Sequence, residues 1–350
     1  SPGEANPGPA VTASAPEAIS FSVAGGLNSP RGTAFGPDGF LYVAEAGTGG
    51  SHSTVGECQQ VPPPVGPYTG GPTARISKIS PEGDLTTVVD GLPSALDGMA
   101  STNGVADIAF LRGELYALLA GGGCSHGNPD VPASVIRVNS DGSWDVIADL
   151  GAWYKSHPVK NMDSADFEPD GQWYSMVAAR GALYVLEANG GALHRVTPDG
   201  VISRISDLSR ERPWLSTPTA LDFYRGKLTV GTFGRFTLDG SEKILSILEL
   251  PGGRDKFHTF MQGVTAVLGL AHDRRNRLYA LESLSPAGFF PGSGRLLRLH
   301  PPSGTFDVVA TGLEFPTGLT AGPDGVAFYV SNRGFGFPPG AGQILRLEVQ

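Results

Sequence analysis

Two distant stretches of this chain follow one pattern. Pro30-Arg31-Gly32-Thr33-Ala34-Phe35-Gly36-Pro37-Asp38-Gly39, followed by Leu41-Tyr42-Val43-Ala44-Glu45, returns as Pro316-Thr317-Gly318-Leu319-Thr320-Ala321-Gly322-Pro323-Asp324-Gly325, followed by Ala327-Phe328-Tyr329-Val330-Ser331-Asn332. Weaker copies lie between them, from Ala106 to Tyr116, Tyr174 to Tyr184, Thr219 to Thr229 and Leu268 to Tyr279, making six in all. A unit recurring along a whole chain is the signature of a repeat architecture, because one such unit cannot bury its own apolar face.

Each copy has the same grammar. A short apolar run meets a turn such as Pro37-Asp38-Gly39, Leu111-Arg112-Gly113 or Tyr224-Arg225-Gly226, and a second run rich in β-branched and aromatic residues follows. That pattern predicts a hairpin. A third strand is expected at 75–79, 135–138, 193–196, 245–248, 296–299 and 344–347, and a fourth at 85–89, 144–148, 202–205 and 306–310. Four antiparallel strands, repeated six times, predict an all-β, six-bladed propeller. The last copy stops after its third strand, whereas Ile19-Ser20-Phe21-Ser22-Val23-Ala24 matches the fourth-strand phrase Val308-Val309-Ala310. The N-terminal strand is therefore expected to complete the last blade and close the ring, which removes open sheet edges. Residues 19–350 read as one domain.

Composition agrees. With 50 Gly and 29 Pro in 350 residues, a helical bundle is excluded. The net charge of −9 argues against a nucleic-acid or anionic-membrane partner. No run of about 18 apolar residues exists to span a bilayer. Residues 1–18 are Pro, Ala, Ser and Gly with little apolar bulk and read as a flexible lead-in. The initial Ser and the pair Cys58 and Cys124 lead to the expectation of a secreted protein with one disulfide.

Chain connectivity puts the fourth-to-first and second-to-third loops on one face and the short turns on the other. The long loops are 46–73, 120–133, 151–172, 232–240, 283–292 and 333–340. Long loops on a rigid face carry function more often than scaffolding does, so the site is expected there. Cys58 and Cys124 fall in loops of adjacent blades, where a bridge between them is geometrically sensible. The first strands enter at Arg31, Ala106, Tyr174, Thr219, Leu268 and Thr317, which should ring the channel mouth. None is acidic, which speaks against an axial calcium or zinc site; Asp107 and Asn103 lie beside the ring.

Second strands end in Glu45, Leu119, Glu187, Thr232, Glu282 and Asn332. Carboxylates on a rim can act as acid and base. Glu45 is expected to face Arg31 in a salt bridge and Glu187 to face Tyr174, while Glu282 faces Leu268 without a partner and is the strongest catalytic candidate. Glu282, Glu187, Tyr174 and Arg31 make up the expected catalytic set. His52, His126 and His157 lie in long loops and are candidate ligands for copper or zinc, although their spacing is irregular and solvated histidines are the plainer reading. Asp163, Asp166 and Glu168 crowd one loop and read as solvated acids. His194, His258, His272 and His300 receive no role. Phe233 and Phe236, Phe289 and Phe290, and Phe335 and Phe337 form three pairs in the last loops, which suits a wall for an aromatic ligand or packing over the blade tops. No phosphate loop and no Gly-x-Ser-x-Gly elbow is present.

The opening Gly26-Leu27-Asn28-Ser29-Pro30-Arg31-Gly32, with Phe35-Gly36-Pro37-Asp38-Gly39 and Leu41-Tyr42-Val43-Ala44-Glu45-Ala46-Gly47, resembles the ScyD/ScyE family. Ala178-Ala179-Arg180-Gly181-Ala182-Leu183-Tyr184-Val185 and Phe315-Pro316-Thr317-Gly318-Leu319 are similar to its third and last repeats. The phrase Gly-Pro-Asp-Gly-x-Leu-Tyr-Val is shared with NHL and gluconolactonase-like propellers. The resemblance implies a secreted protein acting on a small aromatic natural product, with oxidative coupling assisted by copper as the implied chemistry. A non-catalytic interaction scaffold is the alternative, and a metal-dependent lactonase or hydrolase, with calcium as its metal, a third.

Overall fold

In the computed structural model the turn residues fold as the repeat requires: Gly39, at the corner of the first hairpin, has φ of 81°, a conformation that costs glycine nothing. The structure describes residues 18–164, 167–211, 217–234, 238–249 and 255–349. Phe236 and Asp166 lie outside them, as do residues 1–17.

The described strands form six antiparallel sheets. Their innermost strands are Pro30–Phe35, Val105–Leu111, Trp173–Ala179, Pro218–Tyr224, Val267–His272 and Gly318–Ala321, in blades 1 to 6. Each inner strand touches those of the two neighbouring blades, and blade 6 touches blade 1, so the circuit closes. The protein is a six-bladed β-propeller. Closure occurs as expected: strand Ala18–Leu27 pairs with Gly342–Val349 in the last blade, with Phe21 opposite Arg346 and Ser22 opposite Leu345.

The core lies between sheets rather than within one. Ala44, Ile76 and Val89 of blade 1 pack against Ile108, Leu115 and Ile136 of blade 2, and an equivalent layer joins blades 2 and 3. Tyr116, Tyr184 and Tyr279 of the repeated Leu-Tyr phrase are all buried. Three features go beyond what the repeat pattern announces. Blade 1 extends its outer strands to Thr69–Ile79 and Leu85–Leu96 and adds a fifth, Thr102–Asn103. Blade 4 has an outer strand, Asp255–Val264, where its phrase shows none. Helix Leu150–Ser156 opens the 151–172 loop, with the Asp149 side chain accepting from the Ala152 N–H as its cap.

Candidate functional site

A recurring bulge decides where the expected site residues point. The pairing of first and second strands shifts between Pro30 and Thr33, Val105 and Asp107, Trp173 and Ser175, Pro218 and Ala220, and Val267 and Gly269. In blades 2 to 5 the residue skipped is the ring residue itself: Ala106, Tyr174, Thr219 or Leu268. A bulge leaves its extra residue out of the ladder and re-aims it. The ring positions are therefore special, and every second-strand end in these blades is displaced by one from its expected partner.

Three expectations are corrected for this reason. Glu45 stands opposite Pro30, and its carboxylate binds Arg75 at 2.7 Å instead of Arg31. Glu187 stands opposite Trp173, not Tyr174, and accepts the N–H groups of Gln172, Asn189 and Gly190. Glu282 stands opposite Val267, not Leu268, and is partnered after all, in an ion pair with Arg295. All three carboxylates are fully buried. Their structural role is common to them. Asn28 N–H donates to Glu45 at 2.7 Å, Gln172 N–H to Glu187 at 2.9 Å and Thr265 N–H to Glu282 at 2.7 Å. Asn332 accepts from Glu314 N–H in the same place in blade 6. Each of these second-strand ends clamps the loop entering its own blade. Burial pushes Glu187 up to about 7, against its three N–H donors. Burial likewise raises Glu282, with Arg295 pulling the other way.

Arg31 is placed differently. Its guanidinium is buried and donates to three carbonyls: Thr102 at 2.7 Å, Pro30 at 3.3 Å, and Gly334. Among the described residues it has no ion pair. Burial lowers its pKa, opposed by Tyr174 and Asp97 nearby. Burial pushes the Tyr174 hydroxyl up to about 12, with Arg31 acting against the rise and Asp107 adding to it. That hydroxyl has no hydrogen-bond partner among the described residues. A cation satisfied only by carbonyls, beside an uncommitted hydroxyl, is suited to a further anion.

On the blade 1–3 side of Arg31 the loops build a polar network. Glu168 accepts from the Tyr68 hydroxyl at 3.0 Å and pairs with His126 Nε2 at 3.0 Å. Asn103, next to Thr102, bonds Tyr68 at 3.2 Å and Gln172 at 2.9 Å. Ser125 and Lys155 bind Asp170. Glu168 is thus buried and engaged rather than solvated. The Cys58–Cys124 disulfide joins the two loops as expected, with Cα atoms 6.4 Å apart. Burial alone would lower the pKa of His126, but the hydrogen bond and charge of Glu168 outweigh it and raise it.

The three loop histidines do not converge. His126 uses both ring nitrogens, on Gly122 O and Glu168. His52 Nδ1 meets Gly127 O at 2.8 Å. His157 stacks on Trp153 at 4.2 Å and bonds Trp153 O. Among the described residues no group of three or more His, Cys, Asp or Glu side chains could hold a metal ion. The described histidines therefore form no shared copper or zinc site.

On the blade 4–6 side the loops are aromatic. Phe315, which belongs to a repeat phrase rather than to a long loop, is the buried centre. Phe335 stacks on it at 4.5 Å, Phe289 lies 5.5 Å away and Phe337 6.2 Å away, and Phe233 packs on the same cluster. Phe335 and Phe337 are thus partly spent on packing, whereas Phe289 and Phe290 are 57% and 47% exposed. Gly334 N–H bonds Phe315 O while Gly334 O accepts from Arg31, so the guanidinium stands at the seam between the aromatic and polar halves. Below the ring runs an axial cavity of about 370 Å³ whose walls include Asp107, Tyr174, Ser175, Asp222 and His272. Burial pushes Asp107 up to about 7, although Met176 N–H, Ile108 N–H and the Ser175 hydroxyl all donate to it.

No family model matches the sequence, and no curated protein matches it. Solved structures do. A gluconolactonase from Xanthomonas campestris has 12% identity, a TM-score of 0.59 and coverage of 99% of both chains. A PQQ-bound aldose sugar dehydrogenase from Streptomyces coelicolor has 16% identity and a TM-score of 0.58 over 96% of this chain and 100% of that one. A luciferin-regenerating enzyme has 11% identity and a TM-score of 0.57 over 95% of each. At these identities the likeness is one of fold alone, the six-bladed propeller.

Proposed function

We propose that the long-loop face binds a small aromatic molecule carrying an oxyanion, such as a carboxylate or phenolate. The observation that carries this reading is the placement of Arg31, a buried cation without a carboxylate partner among the described residues, at the seam of an aromatic and a polar half. The anion would face Arg31 and the Tyr174 hydroxyl, and the ring would lie toward Phe289 and Phe290. This keeps the aromatic natural product implied by the ScyD/ScyE resemblance, and a non-cytoplasmic setting agrees with the disulfide. It assigns no chemistry to copper and none to Glu282. The test is calorimetric titration of the protein with 4-hydroxybenzoate and with indole-3-carboxylate. Saturable binding weakened at least tenfold in both Arg31→Gln and Phe289→Ala is expected. Equal affinity in both variants would sink the proposal.

The exposure of Phe289 and Phe290 favours a second reading, an interaction scaffold whose loops dock a protein. In that case Phe289→Ala and Phe290→Ala abolish a pull-down partner, and Arg31→Gln leaves it bound.

A further inference from the structure

The opposite end of the axial cavity carries an arrangement that the long-loop site does not use. His272 ends the inner strand of blade 5, and its Nδ1 lies 2.6 Å from Asp222 Oδ2 on the inner strand of blade 4. The imidazole stacks on Tyr224 with centroids 4.5 Å apart and planes at 10°. Arg225 lies over the Tyr224 ring at 5.4 Å. Asp222 and His272 both line the cavity, with side chains 16% and 14% exposed. A ring whose Nδ1 is fixed on a carboxylate presents Nε2 in a set direction. That Nε2 has no hydrogen-bond partner among the described residues.

Charge gathers around this lip against the trend of the chain. In four consecutive blades the corner between first and second strands carries exposed cations: Arg112, Arg180, Arg225 with Lys227, and Arg274 with Arg275. Arg112, Arg180 and Arg225 hold φ of 55°, 49° and 47°, a region that arginine enters at a conformational cost. Acids at these corners, and at the corners of blades 1 and 6 that complete the circle, are already engaged. Asp273 binds Arg277 at 2.6 Å, Asp38 binds Lys78 at 3.4 Å, Asp324 binds Arg346 at 3.2 Å, and Glu114 accepts from the Tyr116 hydroxyl at 3.1 Å. Among the described residues Arg112, Arg225, Lys227, Arg274 and Arg275 have no ion pair. In a chain of net charge −9, such a collar focuses a positive potential on the channel mouth.

We propose that the short-turn end of the channel is a second ligand site, for a small oxyanion-bearing molecule held by Arg225 and Arg274, with His272 Nε2 as its hydrogen-bond partner and its body in the axial cavity. The site is separate from the aromatic face and stands or falls independently of it.

Calorimetric titration of the full chain with citrate and with inorganic phosphate, at constant ionic strength, tests this. Saturable binding of one equivalent is expected, and whichever anion saturates at the lower concentration separates a carboxylate from a phosphate ligand. Arg225→Asn keeps a residue that tolerates the left-handed backbone, and His272→Gln keeps a polar group; each should weaken binding at least tenfold. Asp222→Asn, which leaves the ring in place but loosens its orientation, should weaken it less. Arg31→Gln probes the long-loop face, and any anion binding lost in that variant alone belongs to that face. Heat that never saturates, unchanged affinity in either Arg225→Asn or His272→Gln, or a loss confined to Arg31→Gln would overturn the proposal.

Discussion

Glu282 and Arg295 stand directly opposite each other on adjacent strands of blade 5, the carboxylate fully buried and the guanidinium mostly so. The carboxylate also holds the Thr265 N–H of the loop entering the blade. Removing one member of a buried pair leaves the other charge uncompensated, which costs about 3–5 kcal/mol. Glu282→Ala is therefore expected to lower the unfolding free energy by about that amount in urea, and Glu282→Gln by less, since its amide oxygen still accepts from Thr265. Lost ligand turnover at unchanged stability would restore a chemical role for this residue.

The disulfide makes a second, independent prediction. Cys58 and Cys124 are 66 residues apart, so the bridge closes a long loop in the unfolded chain. Removing it with Cys58→Ser plus Cys124→Ser should cost about 2–4 kcal/mol. The loss should centre on the loops that hold Tyr68, His126 and Glu168. Amide exchange in 46–73 and 120–133 should rise first, and exchange in the blade 4 and 5 inner strands should stay as it was.

Asp107 and Glu187 set a pH dependence whose sign is opposite to that of salt-bridged acids. Both titrate at about 7 in the folded protein because burial disfavours their charge, against ordinary values of 3.8 and 4.5. Between those values the folded state holds protons that the unfolded state has released. Their contribution is full below about pH 4 and is lost as pH rises through about 7, at about 1.4 kcal/mol per pH unit for each linked proton. Urea midpoints from pH 4 to 8 should show this fall, and Asp107→Asn should flatten it by one proton. A slope unchanged in that variant would show that Asp107 does not titrate in this range.

The blade count and ring closure are legible in the sequence because a turn of Pro-Asp-Gly type and an alternating strand are local signals, repeated six times. In blades 2 to 5 the bulges set Ala106, Tyr174, Thr219 and Leu268 apart from their neighbours. Pairing is not legible. Counting outward from Gly36 and Phe40 places Arg31 opposite Glu45, and the bulge between Pro30 and Thr33 breaks that count. A bulge leaves no mark in one sequence, since Ala106, Tyr174, Thr219 and Leu268 share no residue type. Glu282 reads as unpartnered when only its first-strand neighbour is considered, while Arg295 lies on the third strand. Phe315 escapes notice because it lies within a repeat phrase, not in a long loop. His272 looks ordinary because its partner, Asp222, belongs to another blade.

Closure itself is testable by truncation. The strand Ala18–Leu27 completes the last sheet, and Leu27 is fully buried against a cluster that contains Leu41, Val43 and Ile344. Its removal would expose the edge of Gly342–Val349 and uncover apolar surface in two blades at once. A fully buried leucine alone contributes about 1.5–3 kcal/mol. The ladder registered from Ala18 opposite Val349 to Leu27 opposite Gly342 would lose its hydrogen bonds as well. A chain beginning at Asn28 is therefore expected to be insoluble or to unfold at a much lower denaturant concentration. Adding the peptide 18–27 in trans should recover part of the loss by refilling the edge. Equal stability of the Asn28 form would mean that the ring does not depend on this strand.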